Sequence, residues 1–204
     1  RTTQMEQIKH LILKDLSFKI NYSLPYSLLS ILGIVLLIGG HPLGDFSIVM
    51  IPGIFFAGVI MKMCYAEDNY STLTFLKSFP ISKKAIVASK FVLSKIFIVI
   101  GILMTLITYF LMPPHTVPLH ISHILVLIGI AEIYFATYLF LFFRFSYFAA
   151  RIPPNILGVS LIIFCLNKTL FHTLIIPPIL AVAFFVLALF INFLLMKLSI
   201  DRMR

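Results

Sequence analysis

Six stretches of the chain are continuously apolar: Leu24–Ile38, Phe46–Met63, Phe91–Met112, Ile121–Phe143, Ile156–Leu166 and Leu174–Met196. A helix crosses the hydrocarbon core of a bilayer with about 20 residues, within a range of about 17–25. Four of the six runs reach the lower limit by themselves, while the first and fifth need Tyr22–Ser23 and Lys168–Phe171 to join them. None of the runs alternates, which excludes the strands of a membrane β-barrel. No small-residue cleavage site follows the first run, so it does not read as a signal peptide. The pattern predicts an all-α polytopic membrane protein, a single transmembrane domain over residues 1–204 with six spans.

Two further elements lie outside the runs. Ile8, Leu11, Ile12, Leu16 and Ile20 recur at helical spacing, with Lys9, Lys14, Asp15 and Lys19 between them. This predicts an amphipathic helix within residues 5–21, its apolar stripe in the membrane surface and its basic side toward anionic headgroups. Residues 1–4, Arg-Thr-Thr-Gln, precede a methionine and read as an appended remnant, set apart from the fold. The second element is the cytosolic loop of residues 64–90, the longest polar stretch. Glu67 and Asp68 suit the positive end of a short helix, Pro80 stops it, and Ser82 caps a new helix that runs through Lys90 into the third span. The short helix carries Leu73, Phe75, Leu76 and Phe79. Two readings of that face stay open: a partner site of exposed aromatics rimmed by charge, or a surface packed on the inner ends of neighbouring helices.

Composition removes the soluble alternatives. The chain of 204 residues is 61% hydrophobic and 11% charged, with a mean hydropathy of +1.09. A water-soluble domain of this size has no interior large enough for so much apolar surface. Two cysteines exclude a disulfide scaffold, and Cys64 and Cys165 fall near opposite faces of the bilayer, as inert apolar thiols. The net charge of +9 is an orientation signal. With six spans, fifteen of the sixteen lysines and arginines lie on the side of the termini and the long loop, against Lys168 alone on the other. That side is cytoplasmic by the positive-inside rule, so both termini are cytoplasmic and no nucleic-acid partner is implied.

The chemistry of catalysis is sparse. Gly39–Gly44 and Gly53–Gly58 have the spacing of a phosphate loop but are followed by Asp45 and Val59, not by Lys and Ser or Thr. No metalloprotease, nucleophile-elbow or dithiol motif occurs. His115, His120 and His123 cluster near an outer loop with no carboxylate beside them and read as interfacial polar residues, not as metal ligands. Glu132 is the one acid well inside a span, where a charge costs about 2.5–3.5 kcal/mol on insertion scales. Three roles compete for it: a hydrogen-bonded structural carboxyl, a polar lining of a translocation path, and a catalytic acid. Thr105 and Thr108 are its candidate partners, and no second acid, base or nucleophile is expected at its depth. Asn155, Asn167, Asn192 and the paired prolines 153–154 and 177–178 read as helix-end and turn chemistry. Gly53 with Ala57, and separately Gly129 and Gly158, offer close helix packing.

An acidic-headed loop with Glu67, Leu73 and Leu76, then Phe79-Pro80-Ile81-Ser82-Lys83, then Ser89-Lys90-Phe91 leading into the third span, resembles the membrane subunits of ABC-2 type exporters. The span count, the amphipathic start and the long cytosolic loop extend the resemblance over nearly the whole chain. It implies that the first helix is a connecting helix and that the loop carries a coupling helix that docks on an ATP-binding subunit. Glu67, Asp68, Leu73, Phe75, Leu76, Phe79, Pro80, Ser82 and Lys83 would then form the partner-binding surface. The chain itself would hold no cofactor, with ATP and Mg on the partner, and would pair with a second permease copy or homologue. It also implies a re-entrant outer helix pair within Asn167–Pro178. The expected function is the permease subunit of a bacterial exporter of peptides, antimicrobials or lipids, with Glu132 as the candidate path residue. An ion-coupled carrier or channel, and an intramembrane enzyme using Glu132, are the competing classes.

Overall fold

The computed structural model describes residues 3–20, 59–61, 63–69, 75–76, 78–111, 121–150, 152, 156 and 177–203. Among these residues there is helix and no strand. The principal elements are α1 (Gln4–Ile20), α2 (Lys83–Leu111), α3 (Ile121–Arg144) and α4 (Pro178–Arg202). Residues 59–61 and 63–69 are also helical, as is the turn 147–150. Three helices are long and apolar enough to cross a membrane: Lys83–Met104, Ile124–Arg144 and Pro178–Arg202, with mean hydropathies of 2.2, 2.2 and 2.9. They correspond to the third, fourth and sixth predicted spans. The first span, all of the fifth but Ile156, most of the second, the segment 167–176, Cys165, Gly53, Ala57, Gly158, Asn155 and Asn167 lie outside the described residues.

Local chemistry sets the helix ends. Thr3 and Glu6 form a reciprocal capping box on α1: the Thr3 N–H donates to Glu6 Oε2 (2.9 Å), and the Glu6 N–H to Thr3 Oγ1 (3.4 Å). Thr3 therefore belongs to the fold, although the sequence reading had set residues 1–4 aside. Ser82 Oγ accepts from the Ala85 N–H (3.2 Å) and begins α2. Pro178 occupies the first turn of α4, where its missing N–H costs nothing. At 29 residues α2 is about 43 Å long, more than the hydrocarbon thickness, so its first turns reach past the membrane core.

The core lies in the half of the bundle nearest the start of α2 and the end of α3. Ile86, Val87, Phe91, Leu93 and Phe97 of α2 meet Phe135, Tyr138, Leu139, Phe142 and Phe143 of α3, with Val59, Ile60, Met63 and Cys64 beside them. The stripe of α1 packs here too. Leu11 is buried, and Ile8, Ile12 and Leu16 lie half-buried against the same cluster. The apolar side of α1 thus covers protein. Of α4, the buried positions are Ala181, Ala188, Asn192 and Ser199, three small residues and one amide on a single stripe. That stripe lets α4 lie close along α3, while large side chains such as Val186, Phe190 and Phe193 point outward.

At Gly129, α3 lies tight against α4. A Cβ built there would stand 2.7 Å from a ring carbon of Phe184 and 3.5 Å from the Ala188 Cβ. Replacement of Gly129 by leucine is expected to separate the two helices and to destabilise the bundle by about 1–3 kcal/mol. Thermal denaturation of the detergent-solubilised chain checks this, with Gly101→Leu on α2 as a comparison outside the α3–α4 contact.

Candidate functional site

Two polar clusters are built on α2, around Lys90 and around Lys95. Lys90 Nζ donates to Asp15 Oδ2 of α1 at 2.7 Å and to Glu67 Oε1 at 2.6 Å. The Lys90 side chain is 5% exposed, and both carboxylates are buried with it. Two acids around one ammonium leave a net negative charge, and Lys14 reduces it from the rim. Its Nζ lies 3.4 Å from Asp15 and 3.7 Å from Glu67. The first turns of α2, α1 and the helical stretch 63–69 are thus joined by charge in a place water barely reaches.

Asp68 also acts inside the chain. Its Oδ2 accepts the backbone N–H of Tyr147 (3.1 Å) at the start of the 147–150 turn. The Tyr147 ring meets Tyr65 edge-on, with centroids 5.0 Å apart. The loop after α3 is therefore fastened to the helix that follows the second span. The two acids lie toward the end of the described helical stretch 63–69, not at the first turn of a new helix. The resemblance placed them on a partner surface, and the structure gives their charges internal partners.

The remaining predicted residues separate into inward and outward groups. Leu76 is buried in the core. Phe75 and Phe79 are 62% and 46% exposed and contact each other edge-to-face, with centroids 4.8 Å apart. Behind them, the Pro80 carbonyl accepts from Gln7 Nε2 of α1 (3.3 Å), Ser82 caps α2, and Lys83 Nζ donates to the Met203 carbonyl (3.4 Å). Leu73 lies outside the described residues. The segment thus presents two aromatic rings outward, while its Pro80 carbonyl is tied to α1 and Ser82 joins it to α2, whose Lys83 in turn reaches the end of α4.

The second cluster spans three helices. Lys95 Nζ donates to both oxygens of Glu132, at 3.0 and 2.9 Å, and Asn192 Nδ2 donates to Glu132 Oε2 at 2.6 Å. Glu132 is eleven residues from one end of α3 and twelve from the other, near the middle of the bilayer. Lys95 was grouped with the cytosolic lysines on sequence grounds, and Asn192 with helix-end chemistry. Both instead lie inside membrane helices, twelve residues from Lys83 and ten from Arg202, which matches the depth of Glu132. Equal spacing from the basic ends of the helices was the available signal. The side chains of Thr105, Thr108 and His123 lie outside the described residues. Among the described residues no group of His, Cys, Asp and Glu could hold a metal ion, and Cys64 is a buried free thiol.

Such an arrangement holds helices in register and presents two aromatic rings outward. In comparison with known families, the model of the ABC-2 family transporter proteins matches residues 10–202. No curated protein and no solved structure matches the chain. The chain belongs to the ABC-2 transporter family, as a membrane transport component.

The Lys90 cluster gives a stability prediction. Lys90→Met leaves two buried carboxylates uncompensated and is expected to cost about 3–5 kcal/mol. The variant combining Asp15→Leu, Glu67→Met and Lys90→Met restores neutrality and is expected to recover most of that loss. Yield of monodisperse protein and its unfolding temperature check both.

Proposed function

We propose that this chain is the permease subunit of an ATP-driven exporter, working with a separate ATP-binding subunit that holds ATP and Mg. Its place is the cytoplasmic membrane of a bacterium, with both termini in the cytosol. The cargo is apolar or amphipathic, a peptide, an antimicrobial or a lipid, as suits spans rich in phenylalanine and poor in charge. Six helices of ordinary length enclose little space, so a path for a bulky molecule requires a second copy or a homologue across a two-fold seam.

The observation that carries this reading is the outward pair Phe75 and Phe79 on a segment whose Pro80 carbonyl is bonded to α1 and which runs into α2 at Ser82. Two large rings in water, with Lys83 and Lys84 exposed nearby, have the composition of a docking hot spot. Closure of the ATP-binding subunits pushes on these rings. Ser82 begins α2 two residues beyond Pro80, so the push passes into a helix that crosses the membrane. Lys90 carries it to α1 and the stretch 63–69, and Lys95 to α3 and α4. Of the sequence-predicted coupling residues, Phe75 and Phe79 make the proposed contact, Leu76 and Ser82 seat it, and Glu67 and Asp68 brace it from within.

Phe79→Asp is expected to weaken capture of the ATP-binding subunit by about thirtyfold, the loss of one aromatic anchor worth ~2 kcal/mol. The chain should still insert and keep its unfolding temperature. Co-purification of the ATPase and ATP-dependent transport in vesicles are the measurements, and unchanged assembly with unchanged transport would remove the coupling role.

A further inference from the structure

The Lys95–Glu132 pair is lopsided. The side chain of Glu132 is 6% exposed, whereas that of Lys95 is 43% exposed. Behind Lys95, the carboxylate is held by the ammonium and by the Asn192 amide. In front, Lys95 shares its exposed side of α2 with Val92, Val99 and Leu103, each at least 40% exposed. A contact that served only to tie helices together would hide both partners. Here the ion pair is a dipole with its positive end turned outward, and an ammonium has three N–H groups, of which the two Glu132 oxygens engage two.

We propose that Lys95 is a recognition residue for the acidic head of an amphipathic cargo, a carboxylate or phosphate on a single apolar chain, with Glu132 and Asn192 as positioning residues. The proposal rests on the export reading above and names the cargo class for it. Within the runs Phe91–Met112, Ile121–Phe143 and Leu174–Met196, Lys95 and Glu132 are the only charged residues. An anionic group on this side of the bundle therefore meets one exposed cation, and the apolar flank at Val92, Val99 and Leu103 suits an alkyl or peptide body. Depth favours cargo over a resident phospholipid. The partner that holds Lys95, Glu132, lies at the centre of α3, away from the headgroup phosphates. The carboxylate expected to line the path is thus screened, and the lysine beside it is the group that cargo touches.

The test uses the full chain in phosphatidylcholine nanodiscs, with fluorescent dodecanoate and its uncharged dodecanamide counterpart as probes. Wild type is expected to bind the acid about tenfold more tightly than the amide, a single well-made charged contact. Lys95→Gln should abolish that preference, Lys95→Arg should keep it, and Glu132→Gln should increase it by removing the opposing charge. Because Lys95→Gln leaves Glu132 uncompensated, the double variant Lys95→Gln with Glu132→Gln serves as the neutral, hydrogen-bonded control and should also show no preference. Lys197→Gln, exposed near the end of α4, should bind as wild type does. Equal binding of acid and amide, or a preference that survives Lys95→Gln, overturns the proposal. So does displacement of the acid by phosphatidylglycerol in the disc, which would assign the ammonium to a resident lipid. No ATP-binding subunit is present, so this outcome is independent of whether Phe79 captures one.

Discussion

Two lysines five residues apart on α2 organise the described bundle. Five residues turn a helix by about 140°, so Lys90 and Lys95 leave α2 on different sides. Lys90 goes to Asp15 and Glu67, on α1 and the stretch 63–69. Lys95 goes to Glu132 on α3, which also takes Asn192 of α4. A charge in either place without its partners would cost several kcal/mol, and each partner lies on a different helix. The requirement that both ammonium groups be neutralised therefore fixes where α1, α3, α4 and the helix of residues 63–69 stand around α2.

The parts legible in the sequence were those set by one-dimensional rules. The third, fourth and sixth runs became membrane-length helices because apolar length alone decides that. Ser82 was readable as a cap because its partner is three residues away, and the capping box of Thr3 and Glu6 was equally local but was passed over when residues 1–4 were set aside. The pairings of Lys90 and Lys95 were not legible, because they join residues 23 to 75 positions apart. Charge counting treats every lysine near a loop as a solvated cytosolic charge. Without Lys90 and Lys95, thirteen of the fourteen remaining basic residues still lie on one side, so the orientation argument survives the error. The coupling face was half legible. Alternating large apolar residues announced it, and only packing could say that Leu76 turns inward while Phe75 and Phe79 turn outward.

The two acids of the cytosolic loop show how a motif can be right in place and different in use. Glu67 and Asp68 precede the proposed docking rings in the chain, yet one neutralises Lys90 and the other holds Tyr147. Their effect on a partner would come through stiffness. A hinged segment would absorb a push from the cytosol, whereas one fastened at Leu76, Pro80 and Ser82, next to a buried charge cluster, passes it on.

Polar contacts matter more in this setting than in a soluble core. Lipid tails are as apolar as leucine, so two greasy helices gain little from one particular rotation or depth over another. Register between α2, α3 and α4 therefore depends on features that hydrocarbon cannot imitate. These are the Lys95–Glu132–Asn192 cluster, and the small stripe of α4 with Gly129 pressed against Phe184. A displacement delivered to the start of α2 cannot slide that helix past α3 without opening an ion pair near mid-bilayer. The three helices then move as a group, and adjustment falls to their outer surfaces. Those are the apolar outer side of α4 and the flank of α2 where Lys95 stands beside Val92, Val99 and Leu103.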